Sequence, residues 1–201
     1  SSLRRMQKAA DPRSEWLNRY GPALVFAVAL VPRLAYLFDF KDSPLFDVFV
    51  IDAEYYDRLA RRILAGDRLA GNSPFTMSPL FPYFLAILYK FTGANYFCVK
   101  LVHHLIGAAT CALLCRIGIR LSGVWGGMVT GFLAATYGLF MFSEGALENE
   151  FLVVFLNTSA MCLLLGLDGP IYIWRGALAG LCIGLSIGLR PNALLLEIPA
   201  I

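Results

Sequence analysis

The chain has 201 residues, with 17 Lys and Arg against 14 Asp and Glu and a formal net charge of +3. Hydrophobic residues make up 58% and charged residues only 15%, where soluble domains carry roughly a quarter, and the mean hydropathy is +0.65. These values exclude an ordinary soluble domain and point to a protein that lives in a bilayer.

A spanning helix needs about 20 apolar residues. The N-terminal residues 1–19, with Arg4, Arg5, Lys8, Arg13 and Arg19, read as a polar, mobile lead. The first apolar run, Tyr20 to Phe38, is too long for a signal-peptide core, and Pro22 and Pro32 predict a kinked, retained helix. Further spans are expected from Tyr96 to Leu121, Val124 to Phe142, Phe151 to Leu167 and Gly176 to Leu189, with a sixth beginning at Asn192. Glycines 176, 180, 184 and 188 recur every four residues and predict a smooth ridge for close helix approach.

Cytoplasmic loops are enriched in Lys and Arg, so the basic lead places the N-terminus in the cytoplasm. Threading the spans from there sets Arg116, Arg120 and Arg175 on the same side. Residues 39–95, the turn 143–150 and Arg190 then share the extracytoplasmic face, where Asp39, Asp42, Asp47, Asp52, Glu54, Asp57, Asp67, Glu144, Glu148 and Glu150 gather. Within this outer segment, "DAEYYDRLARRILAG" sets Tyr56, Leu59, Ile63 and Leu64 on one side of a helix that ends near Gly66. A second short apolar helix follows the Pro-rich "NSPFTMSPLFP". Both are expected to lie in the membrane interface.

The runs "DAEYYDRLARRILAGD", "SPLFPYFLAILYKFTG", "VKLVHHLIGAATCALLCRIGIRLSG", "GALENEFLVVFLNT" and "GLSIGLRPNALLL", in this order, resemble the GT-C membrane glycosyltransferases. Within these, the likeness is to the dolichyl-phosphate-mannose-protein mannosyltransferase-like and aminoarabinose-transferase-like group. It extends over nearly the whole chain from about Tyr20. It implies an all-α, polytopic transmembrane bundle of GT-C type, with two interfacial helices in the first extracytoplasmic loop. Residues 20–201 would form one such module, shorter at its C-terminal end than other members of the group. The implied activity is transfer of a sugar from a polyprenyl-phosphate-linked donor to an acceptor protein, lipid or glycan outside the cytoplasm, usually with inversion. No nucleic-acid partner is expected.

By the same resemblance Asp52 is the catalytic base and Glu148 the second acidic position, orienting the acceptor or helping to bind a divalent metal. The chemistry agrees: one carboxylate takes the acceptor proton, and the phosphate leaves without a strong general acid. Positive charge must offset the leaving phosphate, and Arg58, Arg190 and Lys90 are the candidates. Arg58, Arg61 and Arg62 also suit a basic face beside anionic lipid headgroups. Tyr55 is a candidate to stack on the sugar. His103 and His104 lie one turn into the second span, where adjacent residues point about 100° apart, so His103 contacts substrate or packs in the core. Glu144 and Glu150 read as a solvated turn favoured by a helix dipole. The five cysteines sit in the spans and form no disulfide framework. Alternatives of another class are a transporter or scramblase for polyprenyl-phosphate lipids, marked by charges inside several spans, and a non-catalytic membrane subunit.

Overall fold

The computed structural model describes residues 12–49, 51–67, 77–166 and 172–190. The first eleven residues, Arg68, Leu167, Pro191 and the expected sixth span from Asn192 lie outside them. Among the described residues the chain is all helical. The helices are α1 (Pro12–Phe40), α2 (Asp52–Leu64), α3 (Leu80–Thr92), α4 (Tyr96–Thr136), α5 (Gly138–Gly145), α6 (Glu150–Leu164) and α7 (Ile173–Leu189).

Helix α1 starts at Pro12, not Tyr20, so residues 12–19 of the expected lead are helical. Proline suits a first helical position because its missing N–H has no partner there anyway. The helix runs 29 residues through Pro22 and Pro32 and buries Gly21, Val25, Ala29, Arg33 and Leu37. That spacing of four is one stripe, and Val31 and Phe38 on the other side are exposed.

The stripe packs on α4, whose 41 residues are broken at Gly123 (φ 78, ψ 177). Residues 96–122 and 124–136 fold back on each other as a hairpin, which matches the expected boundary between the second and third spans. The arms touch through backbone: a Cβ on Gly118 would lie 2.8 Å from the Gly127 Cα, and one on Gly127 would lie 2.6 Å from the Cys115 carbonyl oxygen. Val25, Ala29, Ala108, Cys111, Cys115, Met128 and Ala135 form the core between α1 and this hairpin.

The expected third span, Val124 to Phe142, does not run through. It ends at Thr136, and Tyr137 leaves helical geometry (φ −76, ψ 101) before α5 begins. Helix α6 then departs at 119° to α5. By length and composition α1 and α4 can cross a membrane, and α5 with α6 make a third span if the bent pair is taken as one; α3 and α7 are shorter apolar helices.

The apolar face of α2, with Ala53, Tyr56, Leu59 and Ala60, is buried, and Ala53, Tyr56 and Ala60 share a core with Phe81, Leu85 and Tyr89 of α3 and Phe151 of α6. Protein covers that face. Asp57 locks the arrangement: its Oδ1 accepts from the Tyr89 hydroxyl (2.6 Å) and the Tyr96 hydroxyl (2.9 Å), and its Oδ2 from the Arg61 Nε (3.0 Å). Arg61 also donates to the Tyr96 hydroxyl, so it ties α2 to α4, while Arg62 pairs with Asp67. The glycine ridge of α7 is not a packing surface among the described residues. A Cβ on Gly176, Gly180 or Gly184 meets nothing within 4 Å, and only Gly188 is tight, against Leu80. Helix α7 instead buries Arg175, Ala179, Ser186 and Leu189.

Candidate active site

Asp52 opens α2, exposed, straight after Ile51, whose φ is 51. A β-branched residue at positive φ is strained, and such strain gathers at functional sites. The helix places Tyr56 one turn later, with its ring edge-on to Phe81 at 4.9 Å between centroids. Burial first, then the charges of Asp52 and Glu150, push the Tyr56 hydroxyl up to about 12, while Arg190 acts in the opposite direction.

Glu148 lies half-buried in the turn between α5 and α6. Burial raises its carboxyl above the ordinary 4.5, Glu150 and Asp52 raise it further, and Arg190 opposes them. The start of α2, the turn 146–150 and the end of α7 therefore share one electrostatic site. Its acids come from positions nearly a hundred residues apart.

The end of α7 is pinned there through its own backbone. The last carbonyls of a helix lack intrahelical partners. Here the Asn149 side-chain amide donates to the Leu189 carbonyl (2.6 Å) and the Ser78 hydroxyl to the Gly188 carbonyl (3.1 Å). Arg190, the next residue, pairs with Glu150 in the first turn of α6. Glu150 is thus the partner of Arg190, which corrects its reading as a plain solvated turn.

Beside this cluster is a cavity of about 330 Å³ lined by Tyr36, Phe40, Leu45, Val48, Phe49 and Phe142, with Lys100 and Glu148 as its charged members. Lys100 is 1% exposed. Its ammonium donates to the Phe46 carbonyl (2.7 Å) and sits 4.0 Å from the Phe46 ring centroid and 4.6 Å from that of Phe40. Lys100 was not among the candidates. The available signal was a cation in the first turns of an otherwise apolar span, which by itself marks function.

Other candidates fall elsewhere. Lys90 is exposed in the last turn of α3, ten residues and so about 15 Å from Leu80, the residue that meets Gly188. It stands at the wrong end of α3 to join Arg190. Arg58 is on the exposed side of α2, and the cation whose charge reaches both Tyr56 and Glu148 is Arg190. Tyr55 is partly exposed and rests against Tyr56, 5.7 Å between centroids.

His103 packs in the core, the second of its two expected places: it is fully buried, 4.3 Å from the Phe151 ring and flanked by Phe81 and Phe84. Its Nδ1 is 3.1 Å from the Glu144 carbonyl oxygen, and the His104 Nδ1 is 2.7 Å from the Glu144 Oε2. Glu144 is therefore not a solvated turn residue. It is 1% exposed and ion-paired with Arg33. Its burial is legible only through a partner on another helix.

A divalent metal finds no ready-made ligand group among the described residues. Among the described residues no three or more His, Cys, Asp or Glu side chains are grouped to hold one, and Glu150 is committed to Arg190. The arrangement can take up a proton at an exposed carboxylate, Asp52, beside a second carboxylate of raised pKa, and it offers positive charge at Arg190 and Lys100. Compared with protein-family models, with curated proteins and with solved structures, the chain matches none.

Proposed function

We infer that the chain is a glycosyltransferase module of GT-C type, using a polyprenyl-phosphate-linked sugar on the extracytoplasmic side of a membrane. The observation that carries the reading is the convergence of Asp52, Glu148 and Arg190 from three distant segments, next to an apolar cavity containing a lysine. In this reading Asp52 removes the proton from an acceptor hydroxyl or amine as that atom bonds to the sugar C1. The bond from C1 to the phosphate oxygen breaks, and the phosphate leaves with the electron pair. Arg190 and Lys100 offset its charge, and the apolar cavity wall suits the first isoprene units.

The test is sugar transfer from a radiolabelled lipid donor by purified protein in detergent. Asp52→Asn should lower transfer at least a hundredfold, at the low end of what general-base catalysis contributes (about 10²–10⁴), while donor binding is kept. Full activity of that variant overturns the assignment of the base. A protein that binds donor but never releases sugar is a non-catalytic subunit.

One observation favours the transporter reading, namely that Arg33 and Glu144 put charge inside the helical bundle. Arg33 and Glu144 pair with each other, however, and the adjoining void among the described residues is only about 10 Å³, too small for a headgroup. Movement of a fluorescent prenyl phosphate across vesicles containing the protein would reverse that ranking.

A further inference from the structure

At the opposite end of the bundle, where α1 begins and the α4 hairpin turns, is a second cavity of about 280 Å³ lined by Asn18, Arg116, Ile119 and Arg120. Arg116 and Arg120 are four residues apart on α4 and so lie on one face, and Asn18 of α1 lines the same cavity. The contact of Gly21 with Met128 and Ile119 fixes this end of α1 against the hairpin.

The same end of the molecule carries exposed aromatic side chains. Trp16 and Tyr20 are exposed and paired, 5.5 Å between centroids, and Trp125 is 72% exposed on the second arm. Exposed Trp and Tyr at a helix end mark headgroup depth in a bilayer. Exposed Leu24, Leu121 and Val129 continue from there as apolar surface suited to acyl chains. Two guanidiniums and an amide at headgroup depth, on helices that also expose apolar side chains, match a phosphate joined to hydrocarbon.

We propose that this cavity is a binding site for the phosphate headgroup of an anionic phospholipid, on the membrane face opposite the candidate active site. The assignment does not depend on the glycosyltransferase reading. A free phosphate ion offers the same oxygens but nothing for the apolar surface, so the two sources are separable.

The experiment titrates the full chain in detergent with phosphatidylglycerol or phosphatidylcholine and counts retained lipid by native mass spectrometry. Phosphatidylglycerol should be held about tenfold more tightly, in line with charge-assisted contacts to phosphate. Arg116→Gln with Arg120→Gln should abolish the preference, and Lys41→Gln, an exposed cation just past the other end of α1, should leave it intact. Arg120 is exposed, so Arg120→Gln alone is the variant to read if the double variant does not fold, and it should lose most of the preference. Equal retention of the two lipids, an unchanged preference in Arg120→Gln, or displacement of phosphatidylglycerol by equimolar inorganic phosphate overturns the proposal.

Discussion

Arg33 and Glu144, 111 residues apart, meet as a two-pronged buried ion pair, with Nη2 2.9 Å from Oε1 and Nε 2.9 Å from Oε2. The remaining guanidinium nitrogen donates to the Ala29 carbonyl (3.1 Å), in the turn interrupted by Pro32, and to the Ala135 carbonyl (3.4 Å), in the last turn of α4. Both carbonyls belong to backbone that helical bonding serves poorly. The pair therefore joins three helices at the places where their own ladders are weakest.

Replacing one partner should strand the other charge. Arg33→Leu is expected to cost about 3–5 kcal/mol, and Arg33→Leu with Glu144→Leu much less than the sum of the two single changes. Thermal unfolding in detergent of the four proteins of this double-mutant cycle reads the coupling directly, and additivity of the single effects would contradict the geometry.

Gly107 faces the same carboxylate. A Cβ there would lie 1.9 Å from the Glu144 Oε1, so Gly107→Ala should lower the melting temperature sharply. Glu144→Ala added to it should recover part of the loss, although the buried Arg33 remains unpaired. No recovery in the double variant would mean that another neighbour, not this carboxylate, demands the glycine.

The hairpin glycines and the α7 glycines should behave oppositely. Gly127→Ala meets backbone atoms of the other arm, which cannot swing aside, and should destabilise by several kcal/mol, as overpacking of a tight contact does at its upper range (about 1–3 or more). Gly180→Ala meets open space and should be neutral, or stabilising by about 0.5–1 kcal/mol. Chemical denaturation of both variants checks the contrast.

Glu148 has a raised carboxyl pKa, caused first by burial and then by Glu150 and Asp52. A raised folded-state value means that folding disfavours the ionised form. The contribution of protonated Glu148 is fully present below its ordinary 4.5 and is lost as pH rises through the folded value. Glu148→Gln, which imitates the protonated form, should therefore melt higher than the parent at neutral pH, and the gap should close below that ordinary value. Melting curves across pH test the sign.

Asp57 accepts from two phenols and a guanidinium. Asp57→Asn should cost about 1–3 kcal/mol by leaving those donors poorly served, and should loosen α2 and α3 from α4 before the rest of the bundle. Hydrogen exchange along residues 52–92 should show local opening, without an equal change in α1.

The helices themselves were legible because apolar runs of spanning length leave few other solutions, and Gly123 marks the hairpin turn where the composition changes. The break at Tyr137 was hidden, since "AATYGLFMF" is as apolar as an uninterrupted span. Regular spacing misled at 176, 180 and 184, because a glycine ridge is a packing surface only if another helix covers it. The working glycines, Gly118 and Gly127, are nine residues apart across a turn and form no visible repeat. At the site, loop threading sufficed to bring Asp52, Glu148 and Arg190 to one end. It could not separate Glu144 from Glu148, four residues apart on one short stretch. That difference arises from Arg33, His103 and His104 on other helices.

The hold of Ser78 and Asn149 on the last carbonyls of α7 also sets an order of assembly. A ribosome makes Asp52, Glu148 and Glu150 before it reaches Arg190, and at about 5–20 residues per second those carboxylates wait seconds without the cation that offsets them. Until then the repulsion of Glu150 and Asp52 on Glu148 has no opposing charge from Arg190. The end of α7, the last of these pieces to be made, brings that charge together with the two carbonyls that Ser78 and Asn149 hold.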